Sequence, residues 1–108
     1  MPSLRTSFEK KPMPLQHIVW LKKKDHCTDQ EMDAVLDEVA ALATVISEIS
    51  SISCGRNLTE RANGFTHGLI VTLESPQALE IYAQHPAHVA VAKKLARNAD
   101  ILAMDYES

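Results

Sequence analysis

Residues 65–91 read FTHGLIVTLESPQALEIYAQHPAHVAV, and three local signals follow one another along them. From Phe65 to Leu73 the side chains alternate. Phe65, His67, Leu69, Val71 and Leu73 share one face, and Thr66, Gly68, Ile70 and Thr72 share the other, which is the period of a half-buried strand. Ser75-Pro76 then opens a helix, with serine at the N-cap and proline at the first helical position. That helix carries Ala78, Leu79, Ile81 and Tyr82 and is interrupted at His85-Pro86, because proline drives the residue before it out of the helical region. Pro86 opens a second helical piece bearing Val89, Val91, Ala92 and Leu95. A strand followed by a broken helix is half of a βαβ unit, and Ile101 to Tyr106 supplies its closing strand.

Upstream, Ile49 to Asn57 alternates weakly and reads as a strand of small residues with room for a bulge. Thr59 to Gly64 is polar and ends in the turn pair Asn63-Gly64, so the two strands flanking it make a hairpin. Thr28-Asp29-Gln30-Glu31 is a capping box at the head of an amphipathic helix. Met32, Val35, Leu36, Val39, Leu42, Ala43 and Ile46 recur at three- and four-residue steps, which predicts about five turns. Leu15 to Leu21, LQHIVWL, is too short for a helix and reads as the first strand. It places His17, Val19 and Leu21 on one face and Gln16, Ile18 and Trp20 on the other.

The order strand, helix, strand, strand, broken helix, strand predicts an α+β, ferredoxin-like βαββαβ domain. Its four-stranded antiparallel sheet carries both helices on one face. The other face is bare, and it holds either Ile18, Trp20 and Ile70 or the histidine-bearing set. A bare apolar sheet face is an interaction surface, most simply buried by a two-fold copy. Residues 1–14, with three prolines, read as a flexible arm ahead of a domain at 15–108.

The chain has 108 residues, a formal net charge of −3, 45% hydrophobic residues and 23% charged residues, values of an ordinary one-domain globular protein. The negative balance argues against nucleic acid as a partner, since phosphate binding needs a basic face. No apolar run approaches the roughly 20 residues of a membrane span, and no secretory signal heads the chain. Cys27 and Cys54 form no metal or redox motif and read as reduced, cytoplasmic, structural thiols, with Cys27 open to exposure ahead of its helix. The charged stretch Lys22 to His26 reads as a solvated strand end.

The strand His17-Ile18-Val19-Trp20-Leu21-Lys22, the segments Gly64-Phe65-Thr66-His67-Gly68 and Leu73-Glu74-Ser75, the segment Tyr82-Ala83-Gln84-His85-Pro86-Ala87-His88 and the ending Asp105-Tyr106 together resemble the stress-responsive dimeric α/β-barrel domain family. The resemblance covers about residues 15–107, and Tyr-x-x-His-Pro-x-His is its most specific part. It implies a homodimer whose sheets pack face to face, with a small-molecule pocket between sheet and helices in each subunit. One plant member closes a linear polyketide by intramolecular aldol condensation without metal or organic cofactor. Its catalytic tyrosine and histidine match Tyr82 and His88, and its two strand histidines match His17 and His67. The resemblance lies in this polar set and not in the apolar residues that shape the pocket and select its ligand.

That chemistry needs a base that titrates near neutrality and a donor for a developing enolate oxygen. An imidazole serves as the first and a phenol as the second. Tyr82 and His88 are six residues apart, about 120° round an unbroken helix, so the break at Pro86 is what would let them converge. Plainer roles stand beside these. His85 is equally a cap for the second helical piece, His88 a packed histidine donating to a carbonyl, and Tyr82 a core residue. His17, His67 and His85 are expected to line the pocket and Trp20 the dimer face. His17 and His67 fall toward opposite ends of antiparallel strands, so no metal is expected, nor any cofactor. The function this predicts is cofactor-independent lyase or cyclase chemistry on a carbonyl or polyketide-like compound. The alternatives are a non-catalytic, stress-associated dimer or a cofactor-less monooxygenase or isomerase.

Overall fold

A computed structural model describes residues 13–108; most of the N-terminal arm expected at 1–14 lies outside the described residues. The elements run β1 (Leu15–Lys23), α1 (Asp29–Ala41), a 3₁₀ turn (Leu42–Thr44), β2 (Ile49–Arg56), β3 (His67–Leu73), α2 (Pro76–Gln84), α3 (Pro86–Asn98) and β4 (Ala99–Glu107), with a second 3₁₀ turn at Glu60–Ala62 in the hairpin loop. The sheet order is β2-β3-β1-β4, antiparallel throughout. This is the ferredoxin-like arrangement that the element order predicts.

Alternation decides what each strand buries. Leu15, Val19 and Leu21 of β1, with Leu69, Val71 and Leu73 of β3, face the helices and are buried. They meet Met32, Val35, Leu36 and Val39 of α1, Tyr82 of α2, and Val91 and Leu95 of α3. The bare face is the one that carries Ile18, Trp20 and Ile70, while the histidines lie beneath the helices. Leu102, Met104 and Tyr106 of β4 extend the bare face, each close to half exposed.

Several boundaries differ from the sequence reading. The first helix is α-helical for 13 residues, not five turns, and tightens into the 3₁₀ turn at Leu42. Its apolar stripe continues through Leu42 and Ile46 but misses Ala43, which is exposed. Burial of Ile46 comes from the turn that leads into β2, where Ile46 N–H donates to the Leu42 carbonyl. The third strand begins at His67, not Phe65, since the hairpin loop holds Phe65 by its N–H to the Ala62 carbonyl at 3.0 Å. The bulge in β2 falls between Ile49 and Ser51. Cys27, whose position ahead of the helix left exposure open, is 3% exposed and belongs to the core, as a structural thiol does.

The turn pair works by backbone conformation. Asn63 and Gly64 both take positive φ, 56° and 90°, the left-handed region that asparagine and glycine reach most cheaply. A Cβ on Gly64 would also crowd the Lys22 side chain at 3.2 Å, and the Lys22 ammonium lies over the Phe65 ring.

The capping box forms as read. Thr28 Oγ1 accepts from the Glu31 N–H, and the Glu31 carboxylate accepts from the Thr28 N–H at 2.8 Å. Thr28→Ala is expected to cost about 1 kcal/mol. Leu73→Ala, at a fully buried position in register with Leu15 and Ile49, should cost about 2–5 kcal/mol. Urea unfolding followed by far-ultraviolet circular dichroism measures both, and a Leu73 loss no larger than the Thr28 loss would contradict this account of the core.

Candidate functional site

Tyr82 sits in the last turn of α2. Pro86 cannot continue that helix, and His85 swings to φ −63°, ψ 131°, an extended conformation. The chain restarts as α3 at a new angle, which places His88 in its first turn against Tyr82. The two ring centroids are 4.3 Å apart and tilted by 46°. His17 reaches the same phenol from β1, edge-on, at 5.7 Å between centroids. One break in a helix and one alternation in a strand thus bring three polar rings together.

Hydrogen bonds fix which nitrogen each histidine offers. A carbonyl oxygen only accepts, so the 3.1 Å contact of His88 Nδ1 with the Ala83 carbonyl puts the proton on Nδ1. That leaves the Nε2 lone pair of neutral His88 free. Likewise His17 Nδ1 donates to the Asp105 carboxylate at 2.5 Å, a pairing set by the β1–β4 register, in which His17 and Asp105 are partners. Burial lowers the pKa of His88, and the neighbouring His17 and His85 lower it further against the opposing Ala83 bond. His88 is therefore neutral at pH 7. Burial pushes the Tyr82 hydroxyl up to about 12, so it keeps its proton and can donate.

These rings form the polar part of a cavity of about 160 Å³. Its apolar walls come from Val39 and Leu42 at the end of the first helix, Leu69 of β3, and Val91 and Leu95 of α3. Ile101 and Ala103 of β4 also line it and are exposed, so the cavity opens beside them.

The remaining sequence candidates stand elsewhere. His85 accepts the Ala87 N–H at 3.1 Å through Nδ1 and so caps α3; it supports the break from outside the cavity wall. His67 is opposite Leu21 on β1, whereas His17 is opposite Val71, so the two histidines lie at different ends of the strand pair. His67 is 2% exposed, and its Nδ1 contacts Thr66 Oγ1 at 2.8 Å. That hydroxyl already accepts the Lys23 N–H and donates to the Leu21 carbonyl. His67 Nδ1 is thus the donor, and its Nε2 is buried without a partner. Burial lowers the pKa of His67, which keeps it neutral. It borders a separate cleft with Arg56, Asn57 and Phe65. Trp20 is half-buried on the bare face. Among the described residues no group of three or more His, Cys, Asp or Glu side chains is arranged to hold a metal ion, and no helix is long and apolar enough to cross a membrane.

Sequence reasoning gave no role to Asp105. The signal was partial: Ile101, Ala103 and Asp105 alternate onto one face, but only the register shows which β1 residue Asp105 meets.

A family model, the stress responsive A/B barrel domain, matches residues 15–108. Olivetolic acid cyclase of Cannabis sativa is 30% identical over 79 residues, which are 71% of this chain and 78% of that protein. A dimeric protein of unknown function and ferredoxin-like fold from Bacteroides fragilis superposes with a TM-score of 0.73 at 28% identity, covering 92% of this chain and all of that one (100%). Hydroxynitrile lyase from Passiflora edulis superposes with a TM-score of 0.83 at 22% identity, covering 90% of this chain and 94% of that one, and so speaks for the fold. With nearly the whole folded part matched by the family model, and with the sheet and helices arranged as described, the chain belongs to the stress-responsive A/B barrel domain family.

Proposed function

We propose that the protein is a homodimer in which each protomer binds a small carbonyl compound and acts on it by cofactor-independent proton transfer, as a lyase or cyclase. One observation carries this reading: a neutral imidazole with a free Nε2 stands 4.3 Å, ring to ring, from a phenol that keeps its proton, both on the wall of one cavity. Base and oxygen donor are the two groups that enolate chemistry needs. His88 Nε2 takes the acidic α-proton of the substrate. The Tyr82 hydroxyl donates a hydrogen bond to the carbonyl oxygen as it becomes an enolate. The enolate carbon then attacks a second carbonyl of the same molecule, and the resulting alkoxide takes the proton back from His88. His17, anchored by Asp105, flanks the phenol and holds its orientation.

The similarity to a cyclase at 30% identity supports this choice over the alternatives. The relatedness of the dimeric Bacteroides protein supports the dimer. So does the bare face, since Ile18, Trp20, Ile70, Leu102, Met104 and Tyr106 form a continuous apolar surface that a second copy covers without touching the cavity on the far side of the sheet.

Exchange of the α-protons of β-dicarbonyl compounds, followed by NMR in deuterium oxide, tests the chemistry. His88→Ala should slow exchange about 100-fold or more, and Tyr82→Phe should slow it about 100- to 1,000-fold. Because His88 titrates below the ordinary histidine range, its base form is present at neutral pH and is lost in acid. The rate should therefore hold from pH 8 to 7 and fall below about pH 6.5, with the midpoint under that value. If both variants match the unmodified protein, the catalytic reading fails, and the chain is a structural, stress-associated dimer.

Sedimentation velocity tests the assembly. Trp20→Asp buries a carboxylate in the proposed contact and should yield monomers. A monomeric unmodified protein at micromolar concentration would refute the dimer.

A further inference from the structure

The cavity is chemically one-sided. Its polar atoms belong to His17, Tyr82 and His88, and its other lining side chains are aliphatic. No lysine or arginine lines it; Lys94 of α3 is paired with Glu38 at 2.8 Å. A carboxylate or phosphate on the buried part of a ligand would meet hydrocarbon and no counter-charge, which is a heavy penalty.

Its size is equally restrictive. The space is about 160 Å³, and a cavity of about 150 Å³ with aliphatic walls accommodates one benzene molecule. Leu42 and Leu95 stand on its inner wall, 4% and 8% exposed and continuous with the core. Neither can withdraw without disturbing close-packed neighbours. Outward, the cavity opens beside the exposed Ile101 and Ala103.

Resting on the assignment of this cavity as the reacting site, we infer that the protein takes uncharged carbonyl or phenolic compounds whose buried part is no larger than a single six-membered ring, and that Leu42 and Leu95 set this limit. The reacting oxygen lies at Tyr82 and His88 and the ring lies against Leu42, Leu69 and Leu95, so a group opposite the oxygen meets that wall, whereas a substituent turned toward Ile101 and Ala103 projects through the mouth.

Calorimetric titration of the full chain with phenol and with 4-phenylphenol tests this, because neither compound turns over. In a pocket without a back wall the second ring adds affinity. Here 4-phenylphenol should bind at least about tenfold more weakly than phenol, the scale on which one misfitting group is rejected by an apolar pocket. Leu95→Ala should bring the two within about threefold of each other, and Leu42→Ala repeats the measurement should the first variant fail to fold. Ala92→Leu, which fills the cavity from α3, should weaken phenol about tenfold with an unchanged circular dichroism spectrum.

Equal or tighter binding of 4-phenylphenol by the unmodified protein overturns the size limit. So does phenol binding that Ala92→Leu leaves untouched, or discrimination that survives enlargement of the wall. Tyr82→Phe should keep the preference for one ring, which separates the two readings. Size discrimination without proton exchange retains the ligand class and removes the catalysis. Exchange that depends on His88 alongside tight 4-phenylphenol binding does the reverse.

Discussion

Pro86 is the constraint on which the site depends. It has no N–H to give to the helix before it, and its ring excludes the helical conformation at His85. The break it forces is stabilised from both sides. The His85 N–H still reaches the Tyr82 carbonyl at 3.2 Å, and the His85 side chain caps α3. A helix continuing through this point would point Tyr82 and His88 in different directions. Two short helices with a fixed joint between them hold phenol and imidazole in contact, on rigid elements and not on a loop. The histidine that seemed suited to the cavity from its motif serves instead to hold the joint that makes the cavity.

The second requirement is the phase of β1. Its odd-numbered residues from Leu15 to Leu21 face the helices and its even-numbered ones face outward. His17 and Trp20 differ by three positions and so stand on opposite sides of one sheet. A slip of one residue would exchange them, moving the imidazole away from Tyr82 and the indole into the core. The inward apolar residues Val19 and Leu21, buried at 6% and 0% exposure, fix the phase energetically. The same burial that stabilises the domain therefore sets the His17 imidazole on one face and the Trp20 indole on the other.

Much of this was legible in the sequence because it is local. The alternation in residues 65–73, the capping box at Thr28, the Asn63-Gly64 turn and the break at Pro86 each rest on neighbours within a few positions. What the sequence hid is long-range or cooperative. His17 and Asp105 meet 88 residues apart through a register that no local pattern states. Whether the uncovered face would be the histidine side or the tryptophan side depended on where the helices pack. The end of the first helix was hidden because no glycine or proline marks it, and the apolar periodicity runs on into the tighter turn at Leu42. The walls of the cavity were invisible for a similar reason: Leu42, Leu69 and Leu95 are ordinary core residues in sequence and acquire meaning only where three elements fail to fill the space between them.

The last strand carries a consequence for encounters between copies of the chain. β4 lies at the border of the sheet, and Ile101, Leu102, Met104 and Tyr106 leave hydrocarbon open on both of its sides. An unprotected border of this kind templates stacking of like strands into insoluble aggregates. Asp100, Asp105 and Glu107 punctuate it with negative charge, which repels a second identical border laid alongside. These carboxylates act as gatekeepers against the stacking of like borders.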